Sequence, residues 1–191
     1  MSWLPFIMTL ALTVPSDPSS QGEPRRPTAP ETFTANAQVI GTAGASATTL
    51  TIQVDKYSPD ADRDAVLQAL KQGGHAAFVE ALRKAPAVGK LTMGGQTFDI
   101  RWARQERLPN ARNIVLVTDK PTFFVGGGAV TAKPREGFDV AVLRFRMDDA
   151  GVGYDGTMAA AARVKSGATG VEIDDYAEKP IELRSITRAF K

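Results

Sequence analysis

Phe33-Thr34-Ala35-Asn36-Ala37-Gln38-Val39 and Leu50-Thr51-Ile52-Gln53-Val54, parted by the small residues around Gly41-Thr42-Ala43-Gly44, decide the fold. In both runs apolar and polar residues alternate one by one. An extended backbone sends successive side chains to opposite faces, so a period of two marks a strand with one buried face. The glycines between the runs supply a soft turn, and the pair reads as an opening β-hairpin. Its Thr, Val and Ile residues fit that reading, because β-branched side chains pack well on a pleated surface.

Working outward from the hairpin, the period changes at Ser58-Pro59-Asp60. Ser58 can cap free backbone N–H groups, Pro59 suits the first helical position, and Asp60, Asp62 and Asp64 favour the positive end of the helix dipole. Val66, Leu67 and Leu70 make one apolar stripe, ended by Gly73-Gly74; His75 to Ala85 carries a second one, with Phe78, Val79 and Leu82, before Pro86. The expectation is a helical hairpin over residues 59–85.

From Lys90 onward the strand signal returns. Strands are expected over Lys90–Met93, Thr97–Gln105, Asn113–Thr118, Thr122–Val125, Asp139–Met147, Gly153–Val164, Gly170–Ile173 and Ile181–Ile186, joined by short Gly-, Asp- and Pro-containing turns. Short turns between consecutive strands impose antiparallel neighbours. The fold class is therefore α+β: a mostly antiparallel, curled β-sheet or partial barrel, with the helical hairpin inserted after the second strand.

Before the hairpin lies an unbroken apolar run from Trp3 to Val14, then Ser16-Asp17-Pro18-Ser19-Ser20 and a Pro-rich stretch reaching Pro30. The run has the length of an export signal, roughly 7–15 residues, and falls short of the about 20 that cross a bilayer. It lacks a preceding Lys or Arg and a clean Ala-x-Ala site. Residues 1–20 are expected to be a signal peptide or apolar leader, 21–30 a Pro-rich linker, and 31–191 a single antiparallel β-rich domain. The corresponding location is periplasmic or secreted, with no transmembrane span and with peripheral membrane contact only through an uncleaved leader.

The chain has 191 residues, no cysteine and a formal net charge of +2 from 23 basic and 21 acidic residues. Disulfide staples and thiolate chemistry are thereby excluded, and the near-balanced charge argues against nucleic acid as a partner. Asp60-Ala61-Asp62-Arg63-Asp64 imitates the start of a calcium loop, but Ala65 stands where the turn glycine belongs and Lys71 where the bidentate Glu belongs. No metal site and no cofactor are expected. His75 is the single histidine and no Gly-x-Ser-x-Gly elbow accompanies it, so a surface or capping role is expected rather than a catalytic one. Asp148-Asp149 and Asp174-Asp175 read as turn residues.

Two weaker features point to binding. Arg101, Arg104 and Arg107 continue to Arg112 across the Pro109-Asn110 turn, placing a basic patch near a hairpin tip, with Arg144 and Arg146 as a second pair. Alternation places Phe98, Ile100 and Trp102 on one face and Asp99, Arg101 and Ala103 on the other. Such a patch is a solvated rim or an anion-binding or protein-docking surface. Gly126-Gly127-Gly128 follows an apolar run and reads as a loop or bulge with room for backbone contact to a ligand.

The order of apolar leader, Glu31-Thr32-Phe33-Thr34-Ala35 strand, Asp60-Ala61-Asp62-Arg63-Asp64 helix start, Val115-Leu116-Val117-Thr118-Asp119-Lys120-Pro121 strand exit and Asp139-Val140-Ala141 strand resembles a group of small exported bacterial proteins of unknown function. The resemblance implies no activity, cofactor or site residue. The functional expectation is a non-enzymatic exported domain that binds a protein partner or a small ligand on its sheet or under its helices. The alternative is a hydrolase-like enzyme of unrecognised type using carboxylates or arginines assembled by the fold.

Overall fold

The expected alternation materialises as nine antiparallel strands in the computed structural model, which describes residues 29–41, 44–122, 136–167, 170–176 and 181–189. In chain order they are β1 Glu31–Gly41, β2 Gly44–Val54, β3 Gly89–Met93, β4 Gln96–Leu108, β5 Ala111–Thr118, β6 Val140–Asp148, β7 Gly153–Gly167, β8 Gly170–Asp175 and β9 Ile181–Ala189. A helix, α1 Asp60–Lys84, lies between β2 and β3. Thr122 is not in a strand; it anchors through its N–H to the Ala160 carbonyl, and residues 123–125 of the expected short strand lie outside the described residues.

The sheet closes. Each strand from β1 to β7 pairs with the next, β7 also pairs with β9 through Gly156–Met158, and β9 returns to β1. Eight strands therefore make a closed antiparallel barrel, with β8 as an outlying ninth. The length of β7 allows this: its first half lies against β9, and its second half, Ala162–Gly167, carries β8 on the same side. A barrel of eight strands encloses just enough space for its own side chains. Phe33, Leu50, Ile52, Leu91, Ile100, Ile114, Leu116, Leu143 and Met147 fill it, with Phe145 set edge-on to Phe33 at 5.3 Å.

A bulge in β4 alters the expected facing. Ile100 pairs with Thr118 but Trp102 with Val117, so Arg101 is the extra residue. One extra residue inverts the alternation beyond it. Ile100 and Ala103 therefore both point into the barrel, while Trp102 faces the outer wall instead of sharing a face with Ile100.

A helical hairpin, expected over 59–85, is not formed: the segment is one helical element, α1, kinked where Gly74 alone leaves helical dihedrals (φ 65°, ψ −155°). That combination is open essentially to glycine alone, which explains the residue at the kink. Nor does Ser58 cap the helix. Pro59 holds the N-cap position, and Ser58 instead clamps the helix start to β4, donating its N–H to the Ala103 carbonyl (2.8 Å) and accepting the Ala103 N–H on Oγ (3.1 Å). Val66, Leu70, Phe78, Val79 and Leu82 are buried along α1. Each such side chain is worth about 1.5–3 kcal/mol when fully buried. Their partners are the outward residues Val117, Val140, Val142, Ala159, Ala162 and Val164, so a second apolar layer covers one flank of the barrel from outside. Among the described residues no helix is long and apolar enough to cross a membrane.

Candidate ligand-binding site

Strands apolar on both faces create that second layer. Ile114-Val115-Leu116-Val117 sends Ile114 and Leu116 inward and Val115 and Val117 outward, and Val140-Ala141-Val142-Leu143 does the same on β6. Outward valines must be covered, and α1 covers them incompletely. Between helix and wall lies a cavity of about 200 Å³, lined on the wall by Trp102, Val115, Val117, Val142 and Val164 and on the helix by Val66, Leu67 and Phe78. Val171 and Ile173 of β8 form its outer lip and are 46% and 43% exposed.

Two arginines, Arg63 on α1 and Arg144 on β6, also line this space. Among the described residues Arg63 has one ion-pair partner, Asp64 at 3.9 Å, the outer limit of such a contact. Beyond Arg144 the wall continues into a polar cleft of about 490 Å³ that includes Arg144, Arg146, Asn113, Tyr154 and Thr157. Apolar cavity and polar cleft thus share Arg144.

The sequence-predicted arginines are dispersed. Arg101, at the bulge, donates to Asp119 (3.2 Å), to Asp99 (3.1 Å) and to the Ala85 carbonyl at the helix end (3.0 Å), tying α1 to the barrel. Arg107 forks onto Asp149 at 2.7 and 3.0 Å, joining two neighbouring hairpin turns. Arg104 projects from the outer face, opposite Val115 in the β4–β5 register. Arg112 shares the inward phase of Ile114 and Leu116 and is 2% exposed. The expected common patch is therefore not formed by all four. Gly126-Gly127-Gly128 lies outside the described residues.

Arg112 closes one end of the barrel. It meets the Glu31 carboxylate at 2.7 and 2.8 Å, and also donates to Gln105 (2.9 Å) and Tyr57 (3.2 Å). Tyr57 donates its hydroxyl to Glu31 at 2.6 Å and Arg188 approaches Glu31 at 3.2 Å. Burial alone would raise the Glu31 carboxyl, but the hydrogen bonds from Arg112 and Tyr57 hold it below its ordinary value. Burial, followed by the bond to Glu31, pushes the Tyr57 hydroxyl well up. The cluster is thus an ion pair at neutral pH with its donors satisfied, and the phase of Arg112 with Ile114 and Leu116 is the sequence signal that it lies inside.

His75 secures the helix after the kink. Its Nδ1 accepts the Val164 N–H at 3.1 Å, which leaves Nε2 to donate to Asp139 at 3.2 Å. Burial lowers its pKa, against the opposing pull of Asp139. Asp148 takes the expected turn role, accepting the Val152 N–H at 2.7 Å, but Asp174 and Asp175 lie within strand β8 rather than in a turn, opposite Arg163 and Ala162, and Asp174 pairs with Lys165. Among the described residues no group of three or more His, Cys, Asp or Glu is placed to hold a metal ion. No protein-family model, no curated protein and no solved structure matches this chain.

Proposed function

We propose that the protein is a non-catalytic binding domain that takes a small, largely apolar ligand between α1 and the outer wall of its barrel. The observation that carries this reading is the apolar cavity of about 200 Å³ beneath the helix, edged by half-exposed Val171 and Ile173. A dry cavity of about 150 Å³ lined by aliphatic and aromatic side chains is large enough to take up benzene, so this one suits a ring or a short alkyl segment. The filled interior of the barrel leaves the outer flank as the place for a ligand. In this reading α1 acts as two arms meeting at Gly74, which is the functional content of the expected helix pair. The apolar run Trp3–Val14 supports an exported address for the domain.

The direct test uses the cavity's own reporter. Trp102 lines the space and the chain holds only one other tryptophan, Trp3, so a Trp102→Phe variant assigns the emission change to the cavity. Titration with 1-octanol is expected to give a saturable shift of Trp102 emission, absent in Trp102→Phe. No saturable change, by fluorescence or by calorimetry on the full chain, overturns the reading.

A further inference from the structure

We propose that the ligand is a free amphiphile with an anionic head, a carboxylate or phosphate monoester held by Arg104 and Arg144 while its tail occupies the cavity. This inference rests on the cavity reading above and adds the chemical class of the ligand to it.

The strand registers supply the geometry. On the outer wall Trp102, Val117 and Val142 form one cross-strand row, which α1 covers. The next outward row is Arg104 on β4, Val115 on β5 and Arg144 on β6. Val115 lines the cavity, so the two arginines flank a wall residue of the apolar space, one on each side. Two strand spacings separate their backbones, roughly 10 Å, and both side chains are long enough to converge over a valine. Arg63 faces the same space from the helix. The apolar wall therefore ends in a cationic rim.

Among the described residues the guanidinium groups of Arg104, Arg144 and Arg146 make no hydrogen bond or ion pair, whereas Arg101, Arg107, Arg112 and Arg184 are each held by a carboxylate. Of the three, Arg104 and Arg144 are the two that share the row of Val115. The carboxylates nearest in the cleft are elsewhere engaged or displaced. Glu182 is bound by Arg184 at 3.0 Å, and Asp155 stands opposite Arg146 rather than Arg144. In the row of Arg144 the next residue is Thr157, a neutral hydrogen-bonding side chain. An anion arriving here meets guanidinium donors that have nothing to release, and a fork suited to carboxylate or phosphate oxygens.

The experiment compares octanoate and octyl phosphate with 1-octanol on the full chain, by calorimetry and Trp102 emission. It is repeated in Arg104→Gln, Arg144→Gln, the double variant, and Lys90→Gln, a charge control on exposed β3. Far-UV circular dichroism and thermal midpoint confirm that each variant is folded. The anionic ligands are expected to bind at least about tenfold more tightly than octanol, as charge-assisted bonds imply. That advantage should shrink about tenfold in each single arginine variant, fall with added salt, and survive in Lys90→Gln. Octanol binding as tightly as octanoate overturns the anionic head while leaving the cavity reading intact. An anion advantage that persists in the double variant overturns the assignment to these two arginines. Binding of vesicles containing phosphatidylglycerol, with no binding of the free amphiphiles, overturns the free ligand in favour of a membrane surface. Failure of all three octyl compounds to bind removes the cavity reading, and this inference with it.

Discussion

The two apolar layers of this protein share the same strands and differ in how they end. Inside the barrel, Leu116 and Leu143 are fully buried in a closed apolar core, and the open end is stopped by Arg112 and Glu31. Outside, Val115 and Val142, each one residue along from those leucines, face a helix that leaves a cavity of about 200 Å³, at whose edge Arg144 has no ion-pair partner among the described residues. The inner layer has its buried charges paired; the outer layer keeps a cavity and leaves Arg104 and Arg144 without a partner among the described residues. A closed barrel constrains its interior from all sides, whereas one helix laid on a curved wall touches it along a line and parts from it at the margins. The difference teaches that the barrel supplies stability and the helix–wall seam supplies the opportunity for binding.

The largest effect available is to break the inner layer at its plug. Removing one partner of a buried ion pair strands the other charge, so Arg112→Met alone, or Glu31→Leu alone, is expected to cost about 3–5 kcal/mol in urea unfolding. The double variant Arg112→Met with Glu31→Leu should cost less than either single one, because the fully buried charges leave together and the half-buried Arg188 can reach solvent. Double and single variants that add without coupling would show the cluster to be unimportant. The pH dependence follows from the carboxyl. Glu31 has a folded pKa below its ordinary 4.5, so the unfolded chain binds the proton more readily. Its contribution is therefore complete above that ordinary value and is lost as pH falls through the depressed one.

A smaller and more discriminating effect comes from adding the same bulk to both layers. Leu116→Phe overfills the barrel and is expected to cost about 1–3 kcal/mol. Val115→Phe, its neighbour on the opposite face, grows into the cavity and should cost under about 1 kcal/mol while abolishing octanol binding. Equal losses from both substitutions would show the two layers to be packed alike. Retention of binding by Val115→Phe would place the ligand elsewhere.

How much of this contrast could be read in the sequence depends on which physical rule was local. The alternation of Phe33 to Val39 and Leu50 to Val54, and the two-residue turns at Gly94-Gly95 and Pro109-Asn110, reveal the strands because each rests on neighbouring residues alone. Closure of the barrel was not legible, since it depends on β9 meeting both β1 and β7 across long sequence distances. Arg112 was read as part of a surface patch although its phase with Ile114 and Leu116 put it inside; a charge in an apolar phase announces a buried partner, and here that partner, Glu31, is far away in sequence. The bulge at Arg101 has no sequence marker, so the turn of Trp102 to the outer wall could not be foreseen. The double-faced runs Ile114–Val117 and Val140–Leu143 did carry the signal of an outer layer, because a strand apolar on both faces needs a cover on each.

The smallest effect separates the layers by pH. His75 holds the second part of α1 to β7 by accepting the Val164 N–H on Nδ1, and a protonated ring can no longer accept there. Burial lowers its pKa from the ordinary 6.5; Asp139 acts against this, and Arg163 and Arg83 reinforce it. A depressed folded pKa means that the unfolded or undocked state binds the proton better. The contribution of this contact is thus full above about 6.5 and is lost as pH falls through the folded value. Lowering the pH from about 7.5 to about 5.5 should therefore lower the amide protection factors, taken against the intrinsic exchange rate at each pH, in α1 and at the Val164 N–H, while β1, β2 and β3 keep theirs. His75→Gln should remove the pH response of α1. If the barrel strands loosen together with the helix, the seam is not a separately opening unit, and the division between a fixed interior and an adjustable outer layer fails.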